Sequence, residues 1–249
     1  MLFRSDYDID RFTRLRPFQL QEWDIRMDQP TVTFIWRDDR IWREEGVRER
    51  LQRLLHRLRG RPGLARDSLD DQRQRVITLA QALRHTFPQL DFAVAGPGRP
   101  GGLPEWILDL RTSKINEQVE RIWCERYVQS HLVIGVHGSS MLLPSAHSGA
   151  VIELVPDDRW GNLMQDILLK AKDGRELMSR CRFLPLITSP RIVCQVAISL
   201  LRDLPATLLN FTRPWTDHKA LQDDPQLIIK RRREVKKRDE VALSQHRLS

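Results

Sequence analysis

The chain has 249 residues, of which 41% are hydrophobic and 30% are charged, and its net charge is +8 at pH 7. This length and apolar content can bury a sizeable core, in one large α/β domain or two small ones, which excludes disorder of the whole chain. The three cysteines have no paired spacing, the uninterrupted apolar runs are far shorter than a bilayer, and charges interrupt the start "MLFRSDYDID". We therefore expect a soluble protein of a reducing compartment.

The positive charge is concentrated near the carboxyl end. Residues 226–249 contain eight Lys and Arg against three Asp and Glu, so the rest of the chain is nearly neutral. The basic segment 230–238 could contact nucleic acid or an anionic membrane surface. A solvated, frayed helix is the favoured interpretation, because this segment has no aromatic side chains that could stack on bases. We expect a cytoplasmic protein, with a peripheral position at the membrane as the alternative.

Strand and helix patterns alternate along the chain. β-branched and aromatic residues predict a strand at 31–36, and apolar residues at helical spacing predict a helix over 47–58 that ends at "RGRPG". A second helical stripe runs from 76 to 87, with Asp70 or Asp71 placed to cap its start. The further predicted elements are a strand at 91–96, a loop at 96–102, a strand at 105–110, a helix through 119–127, a strand at 131–137, a short helix at 140–146, a strand at 150–156, and helices at 162–172 and 192–201.

Strands that are apolar throughout and separated by helices are typical of a parallel sheet covered on both faces. The sequence therefore predicts an α/β fold with a Rossmann-like sheet. The first thirty residues have no clear period. We expect an arm or linker at 1–30, a Rossmann-like domain at 31–205, and a carboxyl-terminal extension with the basic tail at 206–249.

Ligands of open α/β sheets bind at the carboxyl ends of the strands, and the strand at 131–137 ends in a polar turn. Its residues His137, Gly138, Ser139 and Ser140 precede a short helix. Glycine lets the backbone approach a ligand closely, and amides at a helix start favour anions, so this turn suits a phosphate. The alternative is an ordinary strand-to-helix turn, with His137 bonded to the backbone and Ser139 as the N-cap.

A second polar group follows the first strand, in "FIWRDDRIW". The strand brings Arg37, Asp38, Asp39 and Arg40 to the same edge of the predicted sheet. Two guanidinium groups can hold a diphosphate through bidentate contacts without a metal. The alternative is a set of local Arg–Asp ion pairs on a solvated loop. The matching positions of the two polar groups on one sheet favour a phosphate site.

The stretch "LVIGVHGSSMLLPSAHSGAVIELVP" resembles the segment of family 61 glycosyltransferases in which a strand ends in His-Gly-Ala-Gly-Leu and the next strand carries a glutamate. "FIWRDDRIW" is similar to the first strand of their donor-binding half. The resemblance covers about residues 31–172 and implies one half of a GT-B enzyme, with two Rossmann-like domains facing a cleft. It implies that Arg37 binds the donor phosphate, that His137 and Gly138 are the His-Gly pair, and that Glu153 is the glutamate of the next strand. Arg40 matches less closely.

The pattern differs from the family at Ser139 and Ser140, which replace Ala and Gly, and only some thirty residues precede the donor-like domain. The resemblance implies transfer of a sugar from a nucleotide sugar to a glycan or other hydroxyl acceptor, with inversion, no metal and no cofactor besides the donor. The general base is unassigned. His137, Asp38 and Asp39 are candidates, and a partner chain with an acceptor domain could also supply it. The alternative function is a non-catalytic nucleotide-binding or interaction module that uses the basic tail.

Overall fold

The computed structural model describes Thr13, Leu15 and residues 17–43, 64–163 and 178–211. The predicted helix at 47–58, nearly all of the helix at 162–172 and the basic segment 230–238 lie outside these residues. The chain divides into two units, Met1–Asn210 and Phe211–Ser249, and the elements below belong to the first, apart from Phe211 at the end of the last helix.

The strands form a single doubly wound sheet. They are β1 (Thr31–Ile35), β2 (Asp91–Pro97), β3 (Leu108–Thr112), β4 (Leu132–Val136), β5 (Ala150–Val155) and β6 (Cys181–Pro185). Their order is β3-β2-β1-β4-β5-β6, and every neighbouring pair is parallel. The strand progression reverses between β1 and β4, as in the Rossmann fold. The predicted α/β, Rossmann-like fold class is confirmed.

Helices cover both faces of this sheet. They are α1 (Leu64–Thr86), α2 (Glu117–Gln129), α3 (Leu142–His147) and α4 (Pro190–Phe211), with 3₁₀ helices at Glu22–Arg26, Ser139–Met141 and Asp157–Asn162. Leu79 of α1 and Leu201 of α4 share a buried cluster with Phe34 of β1. Tyr127 of α2 belongs to a second cluster with Ile35 of β1. Because successive strand residues point to opposite faces, the two clusters lie on opposite sides of the sheet.

The start of α1 differs from the prediction. The helix begins at Leu64, so Asp70 and Asp71 lie inside it and do not cap its first turn. Their carboxylates instead pair along the helix surface, Asp70 with Arg73 and Asp71 with Arg75. Exposed acidic residues are tolerated within a helix when basic residues lie three or four positions further on.

Two strands also differ from the sequence patterns. β3 begins at Leu108 and not at 105, because the Ile107 amide donates to the Pro104 carbonyl in a turn at 2.9 Å. β6 was not predicted, because it is a five-residue edge strand that is only partly buried and carries Arg182. A half-exposed edge strand does not need the continuous apolar run by which the buried strands are recognised.

Among the described residues, α4 is long and apolar enough to cross a membrane by length and composition. Its segment Pro190–Leu209 has a mean hydropathy of 1.5 and is 44% buried in the protein. The sequence analysis did not anticipate this, since Arg191, Arg202 and Asp203 interrupt the apolar run. The buried side of α4 lies in the same cluster as Phe34 and α1, as expected of a core helix.

Described residues of the predicted arm lie against the sheet. The Phe18 amide donates to the His147 carbonyl at 2.7 Å, and its ring lies 5.0 Å from the ring of His131. His131 Nδ1 accepts from the Thr31 amide at 3.0 Å, and its Nε2 lies 3.0 Å from Asp24 Oδ1. Burial lowers the pKa of His131 despite the nearby carboxylate. The ring is therefore neutral at physiological pH, which leaves Nδ1 free to accept.

Candidate functional site

The two polar groups identified in the sequence are in direct contact. β1 and β4 are neighbours in the sheet, so the residues that follow them emerge at the same carboxyl edge. Arg37 Nη1 donates to Ser140 Oγ at 3.1 Å, and Arg40 Nη1 donates to the His137 carbonyl at 2.8 Å. This edge is also the point where the strand progression reverses, which is where ligands of open α/β sheets bind.

Gly138 has a backbone conformation that other residues rarely adopt, with φ 145° and ψ −175°. A Cβ on this residue would lie 1.8 Å from Arg40 Nη1 and 2.9 Å from Arg40 Cζ. Glycine is therefore needed for the backbone angle and for the approach of Arg40. The sequence analysis expected a ligand beside Gly138, whereas the structure places the Arg40 guanidinium there.

The helix after this turn is shorter and less regular than a helix-dipole site requires. Ser139 begins a three-residue 3₁₀ helix, and α3 continues for six residues to His147. Ser139 is thus the first helical residue and not the N-cap, a position that Gly138 takes. Because so short a helix has a small dipole, the positive charges at this edge are those of the Arg37 and Arg40 side chains, and Asp38 and Asp39 lie in the same loop.

Arg37 forms a bidentate ion pair with Asp39. Arg37 Nε donates to Asp39 Oδ1 at 2.7 Å, and Nη2 donates to Oδ2 at 2.5 Å. The Arg37 side chain is 15% exposed, whereas that of Asp39 is 62% exposed. The hydrogen bond from Arg37 lowers the pKa of Asp39, which is therefore ionised at neutral pH. The predicted phosphate-binding arginine and the predicted local ion pair involve the same side chain.

Asp38 has a structural partner. Its Oδ1 accepts from Trp36 Nε1 at 2.7 Å, and the guanidinium of Arg111 stacks on the Trp36 ring at 4.6 Å. Trp36 is buried, and a buried indole N–H needs an acceptor. Asp38 thus holds the tryptophan at the end of β1. Its role as a general base stays a prediction.

His137 and Glu153 form a buried pair. Glu153 lies on β5, opposite Gly135 of the neighbouring strand β4, and its Oε2 hydrogen-bonds to His137 Nδ1. Both side chains are almost inaccessible to solvent. A carboxylate at Nδ1 fixes the orientation of the imidazole and, when ionised, keeps the proton on Nδ1. Glu153 therefore positions His137 rather than facing the open edge itself.

A small pocket lies beside these residues, between the ends of β1, β2 and the helices α2 and α3. Its volume is about 170 Å³, and its lining includes Gly96, Trp123, Cys124, Tyr127 and Ser140. A cavity of about 150 Å³ holds benzene, whereas most drug-sized ligands need roughly 300–1,000 Å³. This pocket therefore has room for one ring. Burial raises the pKa of the Cys124 thiol, so this thiol is protonated at neutral pH.

The sequence analysis did not identify this pocket. It predicted only a helix through 119–127. Trp123 and Tyr127 of this helix pack in the second cluster, where Trp123 Nε1 donates to the Leu110 carbonyl at 2.8 Å. The same side chains also line the pocket. The sequence did offer one indication of the pocket. The helix α2 connects the edge strand β3 to β4, so it crosses the sheet near the point where the strand progression reverses.

Across the described ranges 17–43, 64–163 and 178–211, no three His, Cys, Asp or Glu side chains are grouped so that they could hold a metal ion. Cys124, Cys181 and Cys194 are all buried.

The order of the parallel strands, with polar residues at the edge where the strand progression reverses, defines a doubly wound, Rossmann-like α/β protein. No protein-family model and no curated protein matches the chain. A solved structure from Listeria monocytogenes, assigned as a UDP-N-acetylglucosamine 2-epimerase, is similar with a TM-score of 0.41 and 13% identity, over 80% of this chain. The chain spans 44% of the length of that protein. Likeness at this level identifies no shared function, and the relation to family 61 glycosyltransferases stays a prediction.

Proposed function

We propose that the chain binds the diphosphate of a nucleotide sugar at the edge between β1 and β4, and that it forms the donor side of an inverting glycosyltransferase. The observation that carries this proposal is the contact between Arg37 and Ser140. Ser140 also lines the ring-sized pocket, so Arg37 contacts a residue of the pocket wall. A single ligand with a ring and a diphosphate could contact both.

The chemistry of the arginines supports this choice of ligand. A guanidinium group presents two parallel N–H donors that match two phosphate oxygens and keeps its charge at all physiological pH values. Arg40 adds a second positive charge and holds the 137–140 turn through the His137 carbonyl. Sugar transfer releases a nucleoside diphosphate, whose growing negative charge these two side chains would stabilise.

The general base is the least supported part of this proposal within the chain. Asp39 is paired with Arg37, Asp38 accepts from Trp36, and His137 is buried with only 3% of its surface exposed. A base must reach the acceptor hydroxyl within hydrogen-bond distance. We therefore assign the base to the acceptor side of the enzyme, outside these three residues. The small volume of the pocket supports the same arrangement, because a second surface would be needed to enclose a whole nucleotide sugar.

Calorimetry of the chain with nucleoside diphosphates and nucleotide sugars tests the proposal. Arg37→Ala should weaken binding by about 1.5–3 kcal/mol, the range of a hydrogen bond to a charged group. Arg37→Lys should recover part of this loss, since lysine keeps the charge but not the paired donors. Arg121→Ala is the matched control, because Arg121 is an exposed arginine that pairs with Glu125 on α2.

Unchanged affinity in Arg37→Ala would contradict the proposed site. A chain that binds no nucleotide but binds RNA or anionic vesicles would instead support the interaction module, with the basic segment 230–238 as the contact.

A further inference from the structure

The loop at 37–40 contains one side chain that the rest of the fold does not hold. Arg37 is held by Ser140, Asp38 by Trp36, and Arg40 by the His137 carbonyl. Asp39 receives both of its side-chain hydrogen bonds from Arg37. Its side chain is 62% exposed, so its carboxylate can turn into solvent without leaving a buried polar group unpaired.

The contacts of Arg37 are divided between its two edges. Nη1 faces Ser140, whereas Nε and Nη2 face the two oxygens of Asp39. The Nε–Nη2 edge is the part of a guanidinium group that binds two oxygens of a carboxylate or of a phosphate. The Asp39 carboxylate therefore occupies the donors that an incoming anion would need.

We propose that Asp39 is an internal competitor for the anion on Arg37: its carboxylate occupies the place of a phosphate in the empty site and leaves when the phosphate binds. This inference rests on the proposed function of the same site. Asp39 keeps the donors of Arg37 aligned while the site is empty, and its return helps a bound diphosphate to dissociate. Asp39 is therefore a positioning residue, and it contributes neither to nucleotide contact nor to proton transfer.

Binding of inorganic pyrophosphate and of UDP, ADP, GDP and CDP to Asp39→Asn tests this inference by calorimetry at fixed ionic strength. Asp39→Asn removes the carboxylate that competes with the anion for Arg37. Binding should therefore become about 2- to 5-fold tighter, the range expected from the loss of one exposed ion pair. Asp38→Asn is the matched control, since it removes the same charge one residue away and its amide oxygen can still accept from Trp36 Nε1. Asp38→Asn should tighten binding by less than Asp39→Asn does.

The double variant Arg37→Ala/Asp39→Asn separates competition from general charge repulsion. Without the guanidinium there is nothing to compete for, so Asp39→Asn should then have no larger effect than Asp38→Asn. A merely structural role of Asp39 would not produce this coupling. Thermal unfolding of each variant establishes that it is folded before its affinity is compared.

Each other outcome overturns the inference. If Arg37→Ala weakens binding but Asp39→Asn leaves the affinity unchanged or lower, the proposed phosphate site is supported and the proposed competition by Asp39 is wrong. If Asp38→Asn tightens binding as much as Asp39→Asn, the effect is general repulsion and the competitor is again wrong. If neither the natural chain nor Asp39→Asn binds any of these anions, the proposed function fails and this inference fails with it.

Discussion

Replacing Gly138 with alanine should destabilise the protein through two separable effects. The first is backbone strain, because φ 145° with ψ −175° is a region that residues with a Cβ rarely occupy. Such strain costs about 1–3 kcal/mol. The second is steric, because the new Cβ would lie 1.8 Å from Arg40 Nη1 and would displace that guanidinium from the His137 carbonyl.

The size of the second effect follows from the exposure of Arg40. A hydrogen bond from a charged donor contributes about 1.5–3 kcal/mol when it is shielded from water. Arg40 is only partly buried, so we expect its displacement to cost about 0.5–1.5 kcal/mol after screening. The two effects together predict a loss of about 1.5–4.5 kcal/mol in the free energy of unfolding. Nucleotide binding should weaken as well, since the turn lies beside Ser140.

Chemical unfolding of Gly138→Ala, Arg40→Ala and the double variant measures the two effects separately. In the Arg40→Ala background, Gly138→Ala should retain only the strain, so the two single losses should exceed the double loss by the Arg40 contribution. Gly101→Ala is the control for strain alone, because Gly101 has φ 107° and nothing lies within 4 Å of its Cβ position. A Gly138→Ala protein as stable as the natural one, or strictly additive losses, would refute the close approach of Arg40.

Two further expectations concern catalysis and the ion pair between Asp109 and Arg111, in which Arg111 Nη2 donates to Asp109 Oδ2 at 2.7 Å. Although burial opposes it, hydrogen bonds from Arg111 and the Gly101 amide lower the pKa of Asp109 from its ordinary value of 3.8. Asp109→Asn should therefore destabilise the protein at neutral pH, by about 0.5–1.5 kcal/mol after solvent screening of this partly exposed pair. Urea unfolding at a series of pH values should show this difference closing below pH 3.8, and a difference independent of pH would contradict the pairing. The isolated chain, incubated with nucleotide sugars and acceptors, should release nucleotide slowly and form little glycoside, because in-line placement of the acceptor supplies roughly 7–11 kcal/mol of barrier lowering and the proposed function assigns the acceptor site to another surface. Efficient glycoside formation would show that the acceptor site is already present.

The amino-acid sequence determined the buried strands of this fold almost to the residue. β1, β4 and β5 are shielded by helices on both faces, so nearly every position must be apolar, and such runs are visible without a structure. β6 was not predicted, because it is a partly exposed edge strand with Arg182 at its second position and so has no continuous apolar run. The fold class could be predicted from the alternating strand and helix patterns, because the apolar residues of each element show which of its faces are buried.

The sequence also determined that the two polar groups after β1 and β4 would share one edge, because parallel strands end on the same side. Only the tertiary structure decided what these side chains do there. Arg40 fills the space beside Gly138, Asp39 takes the donors of Arg37, and α2 closes a ring-sized pocket next to Ser140. Each of these contacts joins residues brought together by strand order and packing, and the periodicity of a single segment carries no information about its spatial neighbours.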